Sequence, residues 1–166
     1  MKSPVVSWRW FGPVSVLMFM CLPQPAEACT CAPYPDDLEK AVTLAYAQGS
    51  GIFQVDFIFL GDVIAIRNRA NGSVPHHEVT FSVQDRWKGS IPEIVSVRTN
   101  SGEIACGYEF ERLGSYLVFA HWDEQRRELV TSFCDLNRTE ANAKDAITVL
   151  NRLTKRATAA AAQGTS

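Results

Sequence analysis

The sequence lacks the local motifs by which common enzymes bind phosphate, metal or an acyl group. It contains no glycine-rich phosphate loop, no His-Glu-x-x-His pair and no Gly-x-Ser-x-Gly turn. The acids Asp56, Asp62 and Asp85 lie at strand positions or strand ends, each without a partnered base. These absences indicate a protein that is not an enzyme, and no cofactor is expected.

An excess of positive charge is also missing. The 166 residues include 16 Lys and Arg against 18 Asp and Glu, a formal net charge of −2. A protein that binds nucleic acid needs a basic face, so this balance disfavours nucleic acid as a partner. It gives no support for electrostatic docking on a membrane either.

No hydrophobic run is long enough to cross a membrane. The apolar stretch from Trp10 to Leu22 has about 13 residues, whereas a membrane-spanning helix needs ~20. It follows a positively charged start and precedes Ala26-Glu27-Ala28, the small-x-small pattern after which signal peptidase cleaves. Residues 1–28 are therefore interpreted as a signal peptide. The mature protein is expected to be secreted, or periplasmic in a Gram-negative host. A short membrane anchor, or lipid attachment at Cys29, is the disfavoured alternative.

Cysteine is scarce, and cleavage after Ala28 leaves four: Cys29, Cys31, Cys106 and Cys134. An even number in an oxidising compartment predicts two disulfides. A bond between Cys29 and Cys31 would be strained, so two long-range pairings stay open. Either pairing ties the N-terminus to the second half of the chain, and each bond would stabilise the fold by ~2–4 kcal/mol.

Two arrangements that could bind a metal are disfavoured. A zinc site made of the four thiolates would lack the paired cysteine knuckles of zinc modules. The adjacent His76 and His77 would point to opposite faces of a strand, which is typical of an exposed hairpin end.

The mature chain is predicted to contain a helix, then strands, then a second helix. Asp36 with Glu39 predicts the first helix start, an apolar stripe at helical spacing follows, and Gly49 is a natural stop. Asn137 with Glu140 predicts the start of the second helix. β-branched and aromatic residues between them predict five antiparallel strands: 54–66 with a kink allowed at Gly61, about 79–87, about 95–97, 116–120 and 129–133.

Five short antiparallel strands in about 80 residues favour a small closed barrel, for which the five-stranded OB-like barrel is the default. The predicted fold class is therefore mainly β with flanking helices. The expected organisation is a barrel domain at 29–136, a helix packed on it at 137–156 and a flexible tail at 157–166.

Four short segments of the mature chain carry a family resemblance. They are Cys29-Thr30-Cys31-Ala32-Pro33-Tyr34-Pro35, then Phe59-Leu60-Gly61 followed by Phe81 and Trp87-Lys88-Gly89, then Cys106-Gly107-Tyr108, and last the run 128–134 that ends in Cys134. In combination they resemble the tissue inhibitors of metalloproteinases. The resemblance covers about residues 29–134, which would be the inhibitory netrin-like domain of that family, an OB barrel. The second, disulfide-rich domain of the family has no counterpart, so the likeness is to a minimal form.

The resemblance implies the disulfides Cys29–Cys106 and Cys31–Cys134, and the function of a secreted inhibitor of zinc metalloendopeptidases. The free α-amine and the carbonyl oxygen of Cys29 would chelate the zinc of the partner protease and displace its water. That amine must be unprotonated, and its ordinary pKa of ~7.7–8.0 makes this possible at neutral pH.

By the same resemblance, Thr30 would enter the specificity pocket of the protease. The other residues expected to contact the protease are Cys31, Ala32, Pro33, Ile104 and Ala105. The inhibitor would act as a monomer on one protein partner and hold no metal of its own. The alternative is a non-inhibitory, secreted netrin-like module that binds another protein, for which a free Cys29 amine is irrelevant.

Overall fold

The structure is a computed structural model that describes residues 29–31, 34–47, 54–70, 75–101 and 106–163. The predicted signal peptide lies outside these residues. The described chain forms two helices and six strands, in the order α1 Leu38–Ala47, β1 Phe57–Arg69, β2 His76–Lys88, β3 Ile94–Asn100, β4 Ser115–Asp123, β5 Glu128–Thr131, β6 Arg138–Thr139 and α2 Glu140–Gln163.

Five of the strands form a ring in the order β1-β2-β3-β5-β4, and β4 pairs again with β1. The closing pair is antiparallel and runs from Phe57 opposite Ala120 to Asp62 opposite Ser115. The short β6 pairs with the start of β4, on the side of β4 opposite to β1. The prediction of a mainly β chain with five principal strands and two flanking helices is confirmed.

The β1 strand can pair on both sides because it is long and bends. Its register against β2 shifts between Leu60 and Gly61, where the sequence allows a kink. A Cβ atom at Gly61 would lie 3.1 Å from the carbonyl oxygen of Ser82 and 3.3 Å from the Phe59 ring. Glycine therefore permits the close approach of β1 and β2 at this bend.

The β3 and β5 strands run parallel, with Val97 opposite Leu129 and Thr99 opposite Thr131. The prediction that all strands are antiparallel is wrong at this pair. Alternation of apolar and polar residues shows which side chains face inward, but it carries no information on which distant strands become neighbours. Because the two strands are parallel, both end at the same edge of the ring.

The apolar side chains form two clusters, one on each face of β1. The inner cluster fills the ring and contains Phe59, Val63, Val79, Phe81, Ile91, Val95, Val97, Phe110, Tyr116, Val118, Ala120 and Leu129. The outer cluster lies between the ring and the helices, with Ile58, Leu60, Trp87, Leu117 and Phe119 from the strands. Burial of each large apolar side chain stabilises the fold by ~1.5–3 kcal/mol.

The residue that caps the N-terminus of helix α1 is one position later than predicted, and the helix begins at Leu38. The Oδ1 atom of Asp37, not of Asp36, accepts a hydrogen bond of 2.9 Å from the backbone N–H of Lys40. This satisfies one of the amides that have no partner inside the helix. Ala41, Val42 and Ala45 are buried, which agrees with the apolar stripe.

Helix α2 differs from the prediction at both ends. Asn137 does not cap it, because Arg138 and Thr139 first pair with β4 and the helix begins at Glu140. The helix continues to Gln163, past the predicted end at 156, although residues 155–163 are exposed. Alanine has the highest helix propensity, and this accounts for a helix that continues without packing.

Side-chain hydrogen bonds hold the helices to the ring. The Trp87 Nε1 atom donates to Asn151 Oδ1 at 2.7 Å, and Lys88 Nζ donates to the Ala45 carbonyl oxygen at 3.0 Å. The end of β2 therefore fixes the position of both helices.

Candidate functional site

Residues 29–31 lie at the edge of the ring where β3 and β5 end. Cys106 lies in the segment that follows β3, and Cys134 lies in the turn that follows β5. Parallel pairing brings these two segments to one edge, although they are far apart in sequence.

Two disulfides attach the N-terminal segment to this edge. Cys29 is bonded to Cys106 and Cys31 to Cys134, with Cα–Cα distances of 5.5 and 5.2 Å. This is the pairing that the family resemblance implied. The bonds span sequence separations of 77 and 103 residues, so each closes a large part of the chain.

Thr30 is presented between the two anchors. Cys29 and Cys31 are half-buried, whereas Thr30 is exposed. Covalent bonds on both sides restrict the backbone of this residue, so a partner would meet Thr30 in a largely fixed position. Such restriction lowers the conformational entropy that is lost on binding.

The segment around Cys106 is itself fixed to the ring. Its carbonyl oxygen accepts a hydrogen bond of 2.8 Å from the N–H of Phe133, which links the two segments that carry the disulfides. The N–H of Tyr108 donates to Thr99 Oγ1 at 2.7 Å. A Cβ atom at Gly107 would lie 1.6 Å from the carbonyl oxygen of Asn100, so glycine is required at this position.

Asp135 organises the turn that carries Cys134. Its Oδ2 atom accepts hydrogen bonds from the N–H of Ser132 at 2.6 Å, from Ser132 Oγ at 2.9 Å and from Thr131 Oγ1 at 3.2 Å. Burial raises the pKa of Asp135 above its usual value, and the hydrogen bonds from Ser132 oppose that rise. Burial, with the nearby Asp135 carboxylate, raises the pKa of Tyr34 to about 12, so that phenol is neutral at physiological pH.

Asn137 connects this turn to the inside of the sheet. Its Oδ1 atom accepts from the N–H of Phe119 at 2.8 Å, while its Nδ2 atom donates to Thr131 Oγ1 at 2.7 Å and to the Ser132 carbonyl oxygen at 3.2 Å. The side chain is buried and all of these groups are paired, as buried polar groups generally are. Asn137 thus fixes the turn against β4.

Phe133 is the residue of this edge that sequence reasoning missed. The predicted fifth strand runs to Phe133, and alternation along such a strand would turn Phe133 to the same side as the buried Leu129 and Thr131. The strand ends at Thr131, however, and the turn directs Phe133 outward, where the residue is 63% exposed. Phe133 would face inward only if β5 continued to residue 133. Nothing in the local sequence indicates that the strand ends at Thr131.

The structure brings together five of the predicted site residues and leaves four undescribed. Cys29, Thr30, Cys31, Cys106 and Cys134 lie at one edge of the ring. The predicted protease-contacting residues that lie outside the described residues are Ala32, Pro33, Ile104 and Ala105.

The alternative metal sites are not formed. Cys29, Cys31, Cys106 and Cys134 are all in disulfides, so the zinc–thiolate alternative is wrong. His76 Nε2 lies 3.1 Å from an Arg98 guanidinium nitrogen, whereas His77 Nδ1 contacts Asn68 at 2.8 Å. Within the described ranges, no three His, Cys, Asp or Glu side chains are grouped so that they could hold a metal ion.

Two of the scattered acids take part in hydrogen bonds of the ring. Asp62 accepts from Ser115 Oγ and, at 2.5 Å, from Gln84 Nε2. Asp56 accepts from the N–H of Trp122 at 2.8 Å. Asp62 therefore links β1 to β2 and β4, and Asp56 links the chain before β1 to β4.

Neither helix of the described chain is both long enough and apolar enough to cross a membrane. A comparison with protein-family models and a comparison with curated proteins each returned no match for this chain.

Proposed function

We propose that the mature protein begins at Cys29, is secreted, and inhibits zinc metalloendopeptidases through its N-terminus. The observation that carries the proposal is the exposed Thr30 held between two disulfides at one edge of the ring. The two disulfides also support export, because such bonds persist in oxidising compartments.

The proposed mechanism needs no catalytic side chain. Cleavage after Ala28 frees the α-amine of Cys29, which together with the carbonyl oxygen of the same residue forms a five-membered chelate on the protease zinc. The catalytic zinc of such proteases keeps a position open for water or substrate, and the chelate occupies it. Thr30 then enters the adjacent pocket of the protease.

Rigidity prevents the inhibitor from behaving as a substrate. The disulfides, the Phe133–Cys106 hydrogen bond and the turn around Asp135 hold both sides of the segment. The exposed Phe133 ring follows Ser132 in that turn and extends the apolar surface available to a protease.

The same proposal assigns the ring to an OB-like barrel of the netrin-like kind found in tissue inhibitors of metalloproteinases. The strand order β1-β2-β3-β5-β4-β1 supports this assignment, since the OB fold is a five-stranded, partly open barrel. The disulfide pairing implied by the resemblance supports it as well.

The first test is to export the protein, measure its intact mass and assay that sample against a panel of zinc metalloendopeptidases. The expected mass is that of residues 29–166 less four hydrogens. One alanine added before Cys29 is expected to weaken inhibition roughly a hundredfold or more, about 2.7 kcal/mol, because it removes the chelating amine.

A pair of substitutions tests whether the Thr30 side chain contacts the protease, or whether any added surface charge weakens inhibition. Thr30→Arg is expected to abolish inhibition of proteases with a small specificity pocket. Thr148→Arg, on the exposed face of α2, serves as the matched control and should leave inhibition unchanged. A correctly processed protein that inhibits no member of the panel would refute the inhibitor and favour the non-inhibitory netrin-like binding module.

A further inference from the structure

The ring has a second candidate site, a cavity of about 650 Å³ beside the start of β3. On one side β3 pairs with β2 from Ile94 onward. On the other side it pairs with β5 only from Val97. Val95 and Ser96 therefore have no neighbouring strand on that side within the described chain, and the cavity enters the wall of the ring at this gap.

Core side chains form the floor of this cavity. The apolar residues that line it are Phe57, Ile91, Val95, Val97, Trp122 and Leu129. Ile91, Val95, Val97 and Leu129 belong to the inner cluster and are buried. Trp122, in contrast, is 37% exposed. A cavity of this volume lies within the ~300–1,000 Å³ typical of small-molecule sites, which are mostly apolar with a few polar groups.

The rim of the cavity carries one positive charge without a compensating acid. Three arginines and two glutamates line it. Arg98 pairs with Glu128 at 3.2 Å, and Arg69 pairs with Glu78 at 2.7 Å. Arg127 forms no ion pair with any carboxylate of the described residues, and its backbone N–H donates to the Asp123 carbonyl oxygen at 2.7 Å.

We propose that this cavity binds a small amphipathic monoanion, with an apolar acyl or aromatic body on the floor and a carboxylate at Arg127. Guanidinium–carboxylate hydrogen bonds are among the strong ones because both partners are charged. The apolar floor supplies the remaining affinity through the burial of hydrocarbon.

This site is distinct from the proposed inhibitory edge. Its floor lies near the starts of β3 and β5, and its rim reaches Arg69 and His76 beside the end of β3, whereas none of the residues that line it is a disulfide cysteine or Thr30. Binding of the anion therefore needs no free amine at Cys29. The protein with one alanine added before Cys29 should bind the anion as well as the mature protein does.

The test titrates the mature protein with 8-anilinonaphthalene-1-sulfonate, an aromatic monoanion whose fluorescence rises on burial, and then displaces it with decanoate. One saturable site is expected, together with quenching of Trp122 that disappears in Trp122→Phe. Decanol, which has the same body without charge, should displace the probe at least tenfold less well.

Matched arginine variants test the position of the anion. Arg127→Gln is expected to weaken binding of the probe roughly tenfold, which corresponds to about 1.4 kcal/mol. Arg126→Gln, whose side chain pairs with Asp123 and does not line the cavity, should bind normally. Ser90→Trp at the exposed rim should block the site, and unchanged thermal unfolding would show that each variant is folded.

Non-saturable binding, equal effects of the two arginine variants, or full binding by Ser90→Trp would each overturn the proposal. Equal displacement by decanol would overturn the role of Arg127 and leave an apolar cavity without anion selectivity.

Discussion

The two ends of the ring are held together by different means. At the ends of β3 and β5, two disulfides, the Asp135 turn and the Asn137 side chain connect three segments of the chain. At the starts of the same strands, the wall is open and a cavity reaches the core. The comparison shows that a short parallel pair can be firmly fixed at one end while it leaves an accessible space at the other.

The largest expected effect comes from removing a bond at the disulfide edge. Cys31→Ser combined with Cys134→Ser should lower the free energy of unfolding by about 4 kcal/mol, because the bond closes a loop of 103 residues. Urea unfolding of the mature protein measures this. The pair Cys29→Ser with Cys106→Ser, which removes the shorter loop, provides the comparison. A loss below about 1 kcal/mol would mean that hydrogen bonds alone hold this edge.

A smaller effect is expected for truncation at the open end. Leu129→Ala should cost about 2 kcal/mol, near the lower limit for such changes, because Leu129 already lines an open space. Leu117→Ala, between the ring and the helices, should cost about 4 kcal/mol, since that side chain is fully buried. Equal losses in chemical denaturation would show that the cavity is closed in solution.

The smallest effect concerns the charge of Asp135. Its raised pKa means that the folded state binds a proton more readily than the unfolded state, whose pKa stays near 3.8. The contribution of Asp135 to stability should therefore rise as the pH falls from neutral through the raised pKa toward 3.8. Asp135→Asn keeps an acceptor for Ser132 and should remove this pH dependence, with little change at pH 7.

Asp135→Ala is the control for that measurement. It removes the acceptor as well as the charge, so it should cost about 1–2 kcal/mol at pH 7. A pH dependence that is the same in Asp135→Asn and in the unmodified protein would assign the effect to another group.

The sequence predicted those features that depend on local patterns. The predicted strand at about 79–87 contains the buried, alternating Val79 and Phe81, and the predicted helical stripe contains the buried Ala41 and Val42. Gly61 indicated the bend of β1, because a side chain at this position would be crowded by the neighbouring strand. These features need information from a few consecutive residues only.

Features set by distant parts of the chain were not predictable in this way. Asn137 has the sequence context of a helix cap, yet its amide is used between β4 and the turn after β5. Phe133 has the spacing of a core residue but follows the end of its strand. The parallel pairing of β3 with β5 also depends on distant parts of the chain, because closure of the ring places β5 beside β3.

The burial of Asn137 has a consequence for the maturation of the protein. Asn137-Arg138-Thr139 fits the acceptor pattern for N-linked glycosylation, which attaches sugar to the side-chain nitrogen. In the folded chain that nitrogen is buried and donates to Thr131 and Ser132. In a host that glycosylates exported proteins, a sugar could be added only before β4 and β5 close around it, and it would then block that closure. In such a host, the speed of folding relative to the transferase, rather than the presence of the acceptor pattern, would decide how much of the protein is native.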